Sequence, residues 1–109
     1  MLKQRTLRNP IKALGIGLHT GKNISMELLP SKVNTGINFI RTDIDESFLI
    51  PAIAENVGDT SLSTALIKDD IKISTIEHLL SAIAGLGVDN CIIKVDGPEV
   101  PIMDGSSSP

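Results

Sequence analysis

The sequence predicts an α+β domain, a mostly antiparallel sheet layered against a single helix. Three observations predict it. Short runs such as ISMELLP (24–30), INFIR (37–41) and NCIIKVDG (90–97) have strand composition and stop at proline, glycine or a charged loop. Between residues 75 and 85 the pattern changes, with Ile76, Leu79, Leu80 and Ile83 at i, i+3, i+4 and i+7, one face of a helix. The order is then strands, one helix, one strand and a tail, with no internal repeat.

Taken in order, residues 2–14 alternate loosely between polar and apolar and are interrupted by Asn9-Pro10. Pro10 suits an edge strand or a bulge. GIGLHTGKN (15–23) reads as a glycine-punctuated turn, and ISMELLP as a strand closed by Pro30. SKVNTG (31–36) is a loop. In INFIR, Ile37, Phe39 and Arg41 share one face, and Asn38 and Ile40 the other. Residues 43–47 form an acidic loop. FLIPAIAENV (48–57) is extended but holds Pro51, and no partner for it is evident. TSLSTALI (60–67), KDD and IKIS (71–74) read as a hairpin with a polar turn. After the helix comes the β run 90–97, stopped by Gly97-Pro98. The tail EVPIMDGSSSP (99–109) has two prolines flanking an extended stretch, then Asp-Gly and three serines.

The 109 residues suffice for one small domain and not for two. Hydrophobic residues make up 41%, but only Phe39 and Phe48 are aromatic, so Ile, Leu, Val and Ala must build the core. Roughly two-thirds of the unfolded surface is buried at this length. The net charge is −3, and the scattered basic residues form no stripe of the kind nucleic-acid binders carry. No apolar run follows the basic start at 3–8, so no signal peptide is expected. No stretch approaches about 18 apolar residues, so no transmembrane segment is expected. A single cysteine, Cys91, excludes an internal disulfide and fits a reducing compartment. The expected location is the cytoplasm.

STIEHLL (74–80) carries the chemistry. Ser74-Thr75-Ile76-Glu77 matches a capping box with Glu77 at N3, and Gly85 and Gly87 supply the stop. On that reading Glu77 is a cap and His78 a polar surface residue. The far side of the helix argues otherwise: His78, Ser81, Ala82 and Gly85 cluster opposite the Ile/Leu face. A solvated face normally carries Lys, Glu, Arg or Gln, yet the only ionisable side chains in 75–85 are Glu77 and His78. Such a face suits close approach by a ligand, a subunit or a domain. A neighbouring Glu and His can also share a metal centre. The imidazole binds Zn²⁺, and the carboxylate takes the proton of the water that attacks a carbonyl. A catalytic zinc site needs about three protein ligands, and the only other histidine is His19. The pair is thus at most part of a site, and the residues by themselves leave both readings open.

Other motifs are weaker. GIGLHTGKN fails the phosphate-loop pattern, since Ile16 stands five before Gly21 and Lys22 precedes Asn23. It also fails G-x-G-x-x-G, with Thr20 in place of the third glycine. Cys91 sits in an apolar run as a buried structural thiol. Asp104 could cap a following helix, which would begin at Pro109 where the chain stops, so either the tail is disordered or this is the front part of a longer protein.

KQRTL, GLHTGK, NTGI, RTD, ISTIEHLLSAIAGLGVDN and PEVPIMDGSSSP together resemble the N-terminal domain of the UDP-3-O-acyl-N-acetylglucosamine deacetylases, and the likeness runs across essentially the whole chain. The resemblance implies a zinc-dependent hydrolase that removes the N-acetyl group from UDP-3-O-acyl-N-acetylglucosamine and releases acetate. In that family this is the committed step of lipid A biosynthesis in Gram-negative bacteria. It implies two similar α+β domains of the ribosomal protein S5 domain 2-like kind, with the active site between them. The family's general base falls on Glu77 and its first zinc ligand on His78. The other ligands, a histidine and an aspartate, belong to the second domain, as do an assisting lysine and histidine. Leu18, His19, Ser61 and Ser63 are carried over as candidate substrate-cleft residues.

On this resemblance residues 1–109 are an N-terminal deacetylase domain lacking its following helix and the entire second domain. The isolated chain is expected to be inactive, with Zn²⁺ as cofactor, the missing domain as partner and UDP-linked acylated glucosamine as substrate. No nucleic acid is expected to bind. The alternative is a non-enzymatic truncated domain that self-associates or pairs with another chain. A weaker idea assigns sugar-nucleotide binding to the glycine turn at 15–21.

Overall fold

Apolar alternation places the strands, and glycine, proline and Asx turns separate them. The computed structural model describes residues 4–17, 21–53, 56–59, 64–69, 71–74 and 76–101, and for residues 59, 64 and 78 the backbone alone. Along the chain run β1 (Ile11–Ile16), β2 (Asn23–Pro30), β3 (Ile37–Arg41), β4 (Ile50–Pro51), β5 (Val57–Asp59), β6 (Thr64–Lys68) and β7 (Ile71–Ser74). The helix α1 (Glu77–Gly85) and the strand β8 (Cys91–Val95) follow. The expected α+β class with a mostly antiparallel sheet is what the chain adopts.

The main sheet has five strands in the order β1-β2-β8-β3-β4. All of its pairs are antiparallel except β3–β8. Ile11, Leu28, Ile93, Phe39 and Ile50 stand opposite one another across all five strands. Phe39, Ile50 and Ile93 in this row are fully buried, and each such side chain stabilises the fold by about 1.5–3 kcal/mol. The adjacent row, Lys12, Glu27 and Lys94, points the other way and alternates in sign, which favours this register.

Three features differ from the sequence expectation. β1 takes in Gly15 and Ile16, which the sequence placed in a turn, and just past the strand the Gly17 N–H donates to the Lys22 carbonyl at 2.9 Å. In β3 residues on both faces are buried, Asn38 and Ile40 on one and Phe39 on the other. The buried Asn38 amide donates to the Thr35 carbonyl at 2.8 Å. Residues 48–57, which had no evident partner, feed two sheets, β4 joining the main one and β5 a second, three-stranded sheet ordered β5-β6-β7. The predicted hairpin is β6–β7, with Lys68 opposite Ile71 and Asp69 at φ +49° in the turn.

The helix lies over the inner face of the main sheet. Ile76 and Ile83 join Met26, Leu28, Phe39, Ile93 and Val95 in one core cluster that also takes in Leu66 and Ile73 of the smaller sheet. The helix, both sheets and Val100 therefore share one core, which fixes α1 relative to both sheets. The Cα radius of gyration, 13.1 Å, is the value expected of a single domain of this length.

Candidate active site

The helix carrying Glu77 and His78 is held at both ends by backbone from elsewhere. At its C-terminus Gly87 takes φ +73°, and its N–H donates to the Ala84 carbonyl at 3.0 Å. The Val88 N–H donates to the Ile83 carbonyl at 3.2 Å. These two bonds form a Schellman cap, with glycine at the left-handed position. Beyond it, the Asp89 and Asn90 N–H groups donate to the Arg5 carbonyl at 2.8 and 3.0 Å. Asn90 is buried; it accepts from the Gly36 N–H at 2.8 Å and donates to Gln4 Oε1 at 2.9 Å. The N-terminal segment is thus tied to the helix exit.

At the N-terminus the expected capping box does not form. The helix begins at Glu77, which is its first residue rather than its third. Ile76 occupies the cap position with helical φ and ψ and makes no side-chain cap hydrogen bond. Ser74 is already committed as the end of β7. Its N–H donates to the Pro98 carbonyl at 2.8 Å, and its carbonyl accepts from the Val100 N–H at 2.9 Å. A residue whose backbone is held in an extended bridge belongs to a strand, and here its hydroxyl does not cap the helix.

Glu77 is half-buried at this clamped start, and its Oε2 is buried with no hydrogen-bond partner among the described residues. His78 is the next residue of α1. Ile76 and Ile83 face the core, whereas Ser81 and Gly85 are exposed and Ala82 is partly so. A Cβ built on Gly85 would meet nothing within 4 Å. The small-residue side of the helix is therefore open. Among the described residues no group of three or more His, Cys, Asp and Glu side chains could hold a metal ion.

The proposed cleft residues Leu18, His19, Ser61 and Ser63 lie outside the described residues, as does Asp104. A concavity of about 580 Å³ is lined by Lys12, Glu27, Glu46, Lys94 and Asp96 among others. It sits on the Lys12–Glu27–Lys94 row, not on the core side where α1 packs, and includes neither Glu77 nor His78. Two groups away from the pair are perturbed. Hydrogen bonds from the Ser47 hydroxyl and N–H hold the Asp45 carboxyl below its ordinary value. Burial raises the Cys91 thiol to about 11.

Sequence reasoning missed Glu99. It is only 2% exposed, and it bridges Ser74 in parallel. The Pro98-Glu99-Val100-Pro101 spacing was the available signal, since prolines on both sides hold a segment extended.

The fold defines a class: a two-sheet α+β domain with an adjacent Glu-His pair in the first turn of its helix, whose Ser81 and Gly85 are exposed. The chain belongs to the UDP-3-O-acyl N-acetylglycosamine deacetylase family, whose model matches residues 4–109. Over all 109 residues it is 60% identical to the UDP-3-O-acyl-N-acetylglucosamine deacetylases of Cellvibrio japonicus (strain Ueda107) and of Saccharophagus degradans (strain 2-40 / ATCC 43961 / DSM 17024). It is 58% identical to that of Hahella chejuensis (strain KCTC 2396). Each match covers 100% of this chain and 36% of the relative, so the chain spans about a third of the length of these curated relatives.

Proposed function

We propose that this chain supplies the Glu77–His78 half of a zinc-dependent active site. The site would remove the N-acetyl group from UDP-3-O-acyl-N-acetylglucosamine, the committed step towards lipid A in the Gram-negative cytoplasm. The name shared by its relatives supports the reaction and substrate. The observation that carries the assignment to these residues is the Glu77 oxygen, buried at the start of α1 and without a partner among the described residues. A buried acceptor without a donor is costly, and it is retained where something outside the described residues is to be met.

The donor set suits zinc as one part of a site: an imidazole at position 78 and, at 77, a carboxyl oxygen that no described residue bonds. Zinc supplies a Lewis acid that polarises a carbonyl and acidifies water. Glu77 would act as general base, taking the proton of the attacking water on Oε2 and passing it to the leaving amine. His78 would hold the metal, and the clamped first turn of α1 would keep both groups in register. Two further ligands would come from a second domain approaching the open side of α1, past Ser81 and Gly85. Leu18, His19, Ser61 and Ser63 remain proposed cleft residues.

The test uses the chain extended to the length of its relatives. Glu77→Gln should lower acetate release at least about a hundredfold while zinc stays bound. His78→Ala should lose zinc by elemental analysis after dialysis. A Glu77→Gln protein of wild-type activity would reject the assignment. The exposed side of α1, with Leu86 62% exposed beside it, also admits the alternative that copies of the 109-residue chain self-associate there. A monomer by light scattering would dismiss that alternative.

A further inference from the structure

We infer that Glu99 is a positioning residue, buried at the centre of a backbone clamp (98–100) that holds the first turn of α1 where Glu77 and His78 act. This rests on the proposed roles of those two residues. Three observations carry it. First, the N-terminus of α1 has no side-chain cap among the described residues: Ile76 stands at the cap position and makes no side-chain cap hydrogen bond. A helix start without a cap frays, yet general-base chemistry tolerates little displacement. Second, the groups that fix the approach to the helix come from the 98–100 segment. Pro98 and Val100 take both backbone bonds of Ser74, which places Glu99 directly opposite Ser74, three residues before Glu77.

Third, Glu99 is the only charged side chain among the buried described residues. The other buried polar side chains, Asn38 and Asn90, tie down the 35–36 turn through Thr35 and Gly36. Burying a carboxyl is expensive, and an apolar side chain of similar size would pack a purely structural segment at less cost. The clamp is itself anchored to the main sheet. The Asp96 carboxylate accepts from the Ser25 N–H at 2.8 Å, and a Cβ on Gly97 would stand 3.2 Å from the Ile24 side chain. The sheet thereby reaches the helix start through Asp96, Gly97 and the 98–100 segment, with Glu99 at the point of contact.

The experiment measures kcat and KM for acetate release in the chain extended to the length of its relatives, with Glu77→Gln as reference. Glu99→Ala should lower kcat about tenfold to a hundredfold with KM within about twofold, the signature of misplaced catalytic groups. Glu99→Gln, which keeps the shape and one acceptor, should recover to within about threefold of wild type. Should Glu99→Ala fail to fold, Glu99→Asp replaces it, with the carboxylate withdrawn by one methylene and the same kcat loss expected. A kcat for Glu99→Ala within threefold of wild type overturns the inference. So does a Glu99→Gln protein as impaired as Glu99→Ala, or a rise in KM that accounts for the loss. If Glu77→Gln is inactive and Glu99→Ala is not impaired, the inference fails alone. If Glu77→Gln is active, the parent reading fails and the inference with it.

Discussion

Glu77 holds a carboxyl oxygen in a place where the described part of the fold offers it no hydrogen bond. Leaving a charged group unsatisfied costs more than leaving a neutral one, so exchanging this carboxylate for a neutral amide should not harm folding. Glu77→Gln is expected to melt at or above the wild-type temperature, by up to about 1 kcal/mol in stability, in the same preparation in which acetate release is lost. A melting temperature several degrees lower would mean that Glu77 is a structural residue. Cys91 behaves oppositely, as a group with a structural role and no reach to solvent. Burial raises its thiol to about 11, so the unfolded chain ionises first as pH rises. The stability it lends is complete below about pH 8.5, the ordinary thiol value, and declines as the pH climbs towards the folded value. Thiol reagents at pH 8 should leave Cys91 unmodified in the folded chain and label it in denaturant; rapid labelling of the native chain would contradict its burial.

The helix α1 is the element on which the site depends, and its two ends are made differently. Its C-terminal stop is local, a Schellman cap whose glycine at position 87 has φ +73°. A Cβ there would meet only the Arg5 side chain at ordinary contact distance, so Gly87→Ala should cost only the left-handed backbone strain. We expect a loss of about 1 kcal/mol in urea denaturation, and no loss would mean that the cap contributes nothing. Its N-terminal start is non-local, held by residues 98–100 across 25 positions of chain. This explains why the capping-box pattern of Ser74 and Glu77 misleads. The pattern is a sequence of residue types, but the Ser74 backbone is already engaged by another segment before the helix begins. The i, i+3, i+4, i+7 stripe, by contrast, was legible because it depends only on helical geometry and on a core beneath it.

At the scale of the molecule, the main sheet, the smaller sheet and α1 share one apolar core, yet the proposed site is open on one side of the helix. Described residues offer no cluster able to hold a metal ion. On the proposed two-domain reading, the 109-residue chain alone is expected to release no acetate above background, and the chain extended to its relatives' length is expected to release it. Comparable rates in the two would refute the two-domain reading. Among the described residues no helix is long and apolar enough to cross a membrane.

By itself the sequence determined the α+β class, the positions of most strands, the core-facing stripe of α1 and the Glu77–His78 pair. Each of these is written in side-chain periodicity or in a short motif, and both are local. Tertiary structure alone decided that β8 enters between β2 and β3 and that residues 48–57 divide between two sheets. It alone brought Glu99 beside Ser74 and left the Glu77 oxygen without a partner among the described residues. Those facts come from pairings between distant segments, chosen by burying Phe39, Ile93 and their neighbours in a common row, and no local pattern encodes which distant strand completes that row.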